Sequence, residues 1–161
     1  MRKLTLIAIV IIASCTVAVA QPRAIGGRLA YGIGPSYQHS IGEKNMIQAD
    51  LDLAGFFGIQ GTVTYNWLFP INSWSGPGSW NWYAGVGGGA GWMFGWWGWG
   101  GYGFVGVAGM IGAEYNFKFP MQLSLDWRPV IGPAFVYGAG VAFNSWGLYA
   151  SAVALGVRYK F

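Results

Sequence analysis

The chain ends Gly147-Leu-Tyr-Ala-Ser-Ala-Val-Ala-Leu-Gly-Val-Arg-Tyr-Lys-Phe161, and its bulky residues Tyr149, Val153, Leu155, Val157, Tyr159 and Phe161 all occupy odd positions. Arg158 and Lys160 occupy even ones. Successive side chains of a strand point to opposite faces, so this stretch has one apolar, aromatic-ended face and one small or charged face. A strand that is apolar toward lipid and polar toward a lumen is the repeating unit of a transmembrane barrel.

The same alternation recurs upstream. In Ala24–Ile33 the larger apolar residues Ile25, Leu29, Tyr31 and Ile33 are odd, and in Met46–Leu53 the residues Ile47, Ala49, Leu51 and Leu53 alternate with Gln48, Asp50 and Asp52. Ile59–Phe69 sets Ile59, Val63, Tyr65 and Trp67 against Gln60, Thr62, Thr64 and Asn66. Phe104–Phe117 and Met121–Pro129 do likewise, with Glu114, Asn116, Gln122, Ser124, Asp126 and Arg128 on the even face. Trp80–Trp92 and Ala134–Phe143 alternate only between larger and smaller apolar residues. With the C-terminal stretch these segments predict an all-β, eight-stranded antiparallel transmembrane β-barrel.

Composition agrees. Of 161 residues, 54% are hydrophobic and only 9% charged, against about 25% charged in an ordinary soluble domain. The formal charge of +4 includes Arg2 and Lys3 of an apparent leader; without them seven basic residues face five acids, no basic run survives, and nucleic acid is not an expected partner. Residues 1–20 read as a cleaved signal peptide, with Leu4–Ile12 as its apolar core and Ala18-Val19-Ala20 as a small-x-small cleavage site, leaving 21–161 as the barrel. Ile12-Ala13-Ser14-Cys15 also has the form of a lipobox, in which Cys15 would be lipidated instead of removed. Cys15 is the only cysteine, so cleavage after Ala20 leaves no disulfide or thiolate chemistry.

The uncharged run from Leu53 to Ala113 raises the alternative of transmembrane helices. Glycine argues against it: between Gly85 and Gly112 lie 13 glycines, and at about 1 kcal/mol each relative to alanine a helix there loses on the order of 13 kcal/mol. In a narrow barrel, inward glycines instead make room for large lumen side chains. The aromatic segment holding Trp96, Trp97, Trp99 and Tyr102 reads as a membrane-hugging turn, or as a platform on which a flat apolar ligand stacks. Counting these strands from an internal N-terminus puts that connection at the end that holds the termini, with Lys118-Phe119-Pro120 and Asn144-Ser145 as tight turns at the opposite end. That is the reverse of the usual loop-length pattern.

Taken together, Gly26-x-Arg28-Leu29-x-Tyr31-Gly32, the block from Glu114 to Pro129 and the ending Gly156-Val157-Arg158-Tyr159-Lys160-Phe161 resemble the small outer-membrane β-barrel proteins of Gram-negative bacteria, the family that contains OmpA/OmpX-type barrels. The resemblance implies an outer-membrane location, lipids and lipopolysaccharide as surroundings, and barrel-assembly machinery as a partner during biogenesis. In that setting Tyr159 and Phe161 resemble the C-terminal assembly signal. No length remains for a peptidoglycan-binding domain.

Chemistry is sparse. Two enzyme types, lipid A deacylases and palmitoyltransferases, occur among eight-stranded outer-membrane barrels, and neither motif is recognisable. His39, Ser40 and Glu43 are the only neighbouring base, hydroxyl and carboxylate, but adjacent strand residues face opposite ways, and two ligands do not make a metal site. Gly87–Gly91 lacks the Lys-Ser/Thr of a phosphate-binding loop. No catalytic residue, metal or cofactor is expected. If the even face is the lumen throughout, the interior collects Arg28, Arg128 and Arg158 with Asp50, Asp52, Glu114 and Asp126. The expected function is a structural or surface-interaction role with a side-chain-filled lumen; the alternatives are a narrow, porin-like channel or binding barrel for small apolar molecules and, further off, a lipid-modifying enzyme.

Overall fold

The computed structural model describes residues 22–30, 32–53, 58–74, 76–94, 101–136, 140–144 and 153–161, and among them there are ten strands and no helix. The strands are β1 (Pro22–Leu29), β2 (Ile33–Ile41), β3 (Asn45–Leu53), β4 (Gly58–Pro70), β5 (Ser79–Met93), β6 (Tyr102–Asn116), β7 (Met121–Trp127), β8 (Val130–Val136), β9 (Gly140–Asn144) and β10 (Val153–Lys160). Neighbours run β5-β4-β3-β2-β1-β10-β7-β6, and β5 pairs with β6 to close the ring. β8 prolongs β7 past Arg128 and Pro129, since both pair with β6 in one register: Ile111 opposes Trp127 and Val107 opposes Ile131. β9 pairs with β8 as β10 pairs with β7. The result is a closed antiparallel β-barrel of eight staves.

The stagger of the staves follows from the register. From Gly26, directly opposed residues lead one way through Ser36, Asp50, Thr62 and Gly89 to Gly106 on β6. The other way they lead through Arg158 and Gln122 to Asn116 on the same strand. The two arrivals are ten residues apart, so an eight-stave wall must tilt its strands by about 40° to close, and its interior is just wide enough to be filled by side chains.

Four expectations change. The alternation expected for one strand over Ala24–Ile33 passes through a turn: Leu29 opposes Ile33, and β2 runs back from there. A three-residue turn preserves parity, so the pattern shows no break. Conversely, the segment expected as Ala134–Phe143 covers the end of β8, residues 137–139 and most of β9. One missed stave and one counted twice leave the total at eight. The added stave also reverses the ends. β5 and β6, which the aromatic segment joins, meet it at the end opposite Pro22 and Phe161, and the Lys118–Pro120 turn lies at the terminal end. The odd-to-outside rule fails along the whole of one strand, because the eight-residue connection 71–78 shifts parity: on β5, Tyr83 and Gly85 to Gly91 at odd positions face in, and Trp82, Val86 and Trp92 face out.

Outward positions are apolar. Among the described residues no Asp, Glu, Lys or Arg faces outward from a strand, and the polar exceptions, His39 and Asn45, sit near the terminal end. Aromatic rings gather there as well: Phe69 stacks on Trp82 at 4.2 Å, Trp80 meets Tyr115 at 4.7 Å, and Tyr159 meets Phe161 at 5.5 Å. At the opposite end Trp92, Phe94 and Phe135 are exposed. From Trp82 to Trp92 along β5 is about 33 Å of strand, or about 25 Å along the barrel axis at this tilt.

Candidate functional site

The interior is the one place where the described polar side chains converge. Even positions of β1–β4, β6, β7 and β10 carry the inward row, and the structure brings all seven expected charges into it: Arg28, Asp50, Glu114, Asp126, Arg128 and Arg158 are buried, and Asp52 is nearly so.

Two arginines and three carboxylates form a cluster that crosses the lumen. Arg28 donates from Nε and Nη2 to Asp126 at 3.2 and 2.7 Å, and from Nη1 to both oxygens of Asp52 at 3.1 and 3.2 Å. Arg128 donates to Asp50 at 2.6 Å and also to Asp52, so Asp52 bridges the two guanidinium groups. Gln48 donates to Asp50 at 2.9 Å, Ser36 donates to its other oxygen, and the Tyr83 hydroxyl donates to Asp126 at 3.1 Å. These groups come from β1, β2, β3, β5, β7 and the β7–β8 junction, so the bonds span the bore instead of running along one wall.

Nearer the termini, Glu114 is the hub. Its Oε1 accepts from Asn81 at 2.8 Å, Asn116 at 3.0 Å and Arg23, and its Oε2 accepts from Gln122 at 2.8 Å. Arg158 forms no ion pair among the described residues. It donates to the hydroxyls of Ser36 at 2.8 Å and Ser124 at 2.6 Å, and Ser36 relays it to Asp50. Burying a charge is tolerable only with partners of this kind.

Two members escaped the sequence reading. Arg23 is odd, yet it turns inward because the register between β1 and β2 shifts between Pro22 and Ala24. A bulge displaces one residue without a compositional mark, so no pattern signals it. Tyr83 escaped through the parity change on β5; the signal available was that a strand whose odd face is otherwise glycine has room only on that face. With Arg23 included, four arginines meet four carboxylates in the interior, and Lys160 stands half-buried at its terminal rim.

Glycine opposes the bulk. A Cβ on Gly112 would lie 2.7 Å from the Tyr83 ring, and one on Gly91 2.6 Å from the Phe104 ring. Above the ionic cluster the interior turns apolar: Phe104, Ala108, Val130 and Ala134 pack together, with Met93 and Tyr102 against them. Trp96, Trp97 and Trp99 lie outside the described residues, as do the leader, Cys15 and Tyr149. Tyr102 opens β6 as a half-buried inward residue. His39 is on the outer face, 3.0 Å from the Tyr37 hydroxyl, while Ser40 is on the inner face and Glu43 in the exposed turn, so the three do not converge. No protein-family model, curated protein or solved structure matches the chain.

Proposed function

We propose that the chain is an exported outer-membrane β-barrel whose role is structural or surface-interacting, with a lumen plugged by its own side chains and no catalytic activity. The observation that carries this reading is the inversion of the usual protein plan: ionised groups inside, bulky apolar groups outside, and aromatic rings about 25 Å apart along the axis. That spacing is the height of the apolar band on outer-membrane barrels. A charge placed on that face costs about 2–4 kcal/mol at the bilayer midplane, which accounts for the segregation.

Lipids and lipopolysaccharide are then the wall's surroundings, and the barrel-assembly machinery its partner during biogenesis, with Tyr159 and Phe161 as the signal. The plug follows from the cross-lumen ion pairs. The test has two arms. The protein is expected to fractionate with outer membranes and to migrate differently in unheated and boiled gel samples. In planar bilayers it is expected to give no steady conductance. Recovery from the soluble periplasm defeats the location, and a reproducible unitary conductance defeats the plug. The apolar packing around Phe104 favours, as second reading, a barrel that takes small apolar molecules at the end away from the termini.

A further inference from the structure

The rim near the termini is level, but the opposite rim is not. The row Gly26, Ser36, Asp50, Thr62, Gly89, Gly106 runs perpendicular to the strands and, because the barrel closes with a ten-residue stagger, climbs by ten residues per circuit. β1 extends three residues above that row, to Leu29, and β6 four, to Tyr102. Five staves on, Tyr102 therefore stands about seven residues of strand above Leu29, or about 18 Å along the axis. By the same construction Leu29 is level with Gly87, halfway between Trp82 and Trp92. The wall of β1, β2 and β3 thus ends near the middle of the apolar band, at Leu29, Ile33 and Leu53, all exposed.

The interior changes character at the same level. Arg28, Asp52 and Arg128 mark the top of the ionic cluster and lie close to the height of that low rim. Above it, the described inward positions on β4, β5, β6 and β8 are glycine, alanine, valine, methionine, phenylalanine or tyrosine, with Gln60 as the one amide. The connections at this end, 30–32, 54–57, 94–101 and 137–139, contain no Asp, Glu, Lys, Arg or His, whereas Glu43, Lys44 and Lys118 occupy turns at the terminal end. A mouth opening into water is lined with charged side chains, and above the level of Asp52 the described inward positions carry none.

We propose that acyl chains of the surrounding bilayer lap over the rim at Leu29, Ile33 and Leu53 and cover the apolar upper interior from the side, with Met93 and Tyr102 as its accessible members. Interior polarity then follows the height of the described strands: charges are enclosed where all eight staves shield them from lipid, and apolar side chains take over above the described ends of β1, β2 and β3. The inference rests on the membrane reading above and specifies what meets the barrel at its upper end.

The test uses single-cysteine variants of the full chain carrying Cys15→Ser, labelled with an environment-sensitive fluorophore and reconstituted in phosphatidylcholine vesicles. Val86→Cys reports the outer wall, Leu29→Cys the low rim and Met93→Cys the upper interior; Ile33→Cys replaces the rim probe if gel mobility shows that Leu29→Cys does not form the barrel. Mid-chain brominated lipid is expected to quench all three labels, the rim as strongly as the outer wall, and aqueous iodide to leave all three bright. If Val86 is quenched by the brominated chains while Leu29 responds only to iodide, or Met93 responds to iodide or to neither quencher, the proposal is overturned and the membrane reading stands. If Val86 itself is untouched by brominated lipid, both fall.

Discussion

Replacing Arg128 with alanine is the sharpest probe of the plugged interior. The Arg128 side chain is 1% exposed and bonds Asp50 at 2.6 Å and also Asp52. Removing one partner of a buried ion pair costs about 3–5 kcal/mol, because the charge left behind has lost both water and its counter-ion. Here the stranded carboxylates keep some company: Asp52 retains Arg28 at 3.1 Å, and Asp50 retains Gln48 at 2.9 Å and the Ser36 hydroxyl. The loss is therefore expected at the lower end, about 3 kcal/mol, a shift of roughly a hundredfold in the folding equilibrium. Urea titration of the refolded barrel in detergent, followed by tryptophan fluorescence and by unheated gel mobility, reads this as a lower midpoint at unchanged slope. Adding Asp50→Asn removes the carboxylate left without a guanidinium partner and is expected to recover part of the loss, with a coupling of about 0.5–3 kcal/mol. An Arg128→Ala midpoint within about 0.5 kcal/mol of the parent, the scale of an ordinary surface substitution, refutes the buried-pair account.

Arg158, held by two serines and no carboxylate among the described residues, is expected to tolerate Arg158→Met at a cost of about 1–3 kcal/mol, less than Arg128→Ala; the same urea titration ranks them, and a reversed order is evidence against the assigned partners. A methyl group on Gly89 would meet the Thr62 Cγ2 at 2.6 Å, so Gly89→Ala is expected to destabilise by about 1–3 kcal/mol and to be rescued by Thr62→Ser, which deletes that methyl. Failure of the rescue means that the strain lies in the backbone. Replacing both Tyr159 and Phe161 with serine is expected to lower the amount of assembled barrel sharply in outer-membrane fractions, and normal assembly of that variant shows the ending to be dispensable.

The fold was legible because the outer and inner faces of the wall carry opposite chemistries on alternate residues, and that period survives wherever the chain is regular. It carried the strands around Gln48–Asp52, Thr62–Asn66 and Gln122–Asp126, and with them the charges of the lumen. What escaped was geometry that leaves no mark on period two. The turn at residues 30–32 has an odd length, so Leu29 and Ile33 stay in phase across a reversal of direction. The β7–β8 junction at Arg128 and Pro129 keeps the register with β6, so one stave reads as two. Arg23 is placed by a bulge, and Tyr83 by the length of a connection. The partners inside were equally hidden: that Asp52 lies between Arg28 and Arg128 depends on the stagger of the barrel, which is a property of the whole ring and of no segment within it.

The ladder that closes the wall joins Ala24 to Lys160 and Leu29 to Leu155, so it links the first described strand to the last. The seam therefore cannot form until β10 is in place. Contacts of such long sequence separation are the slowest to form. Arg158 reaches Ser36 across this seam, and Arg23 and Arg28 on the first strand reach Glu114 and Asp126 beyond it. Until it shuts, the arginines and carboxylates of the unfinished sheet must stay hydrated or be shielded by another protein. Closure of this seam is thus the step that brings the four arginines and four carboxylates out of water together.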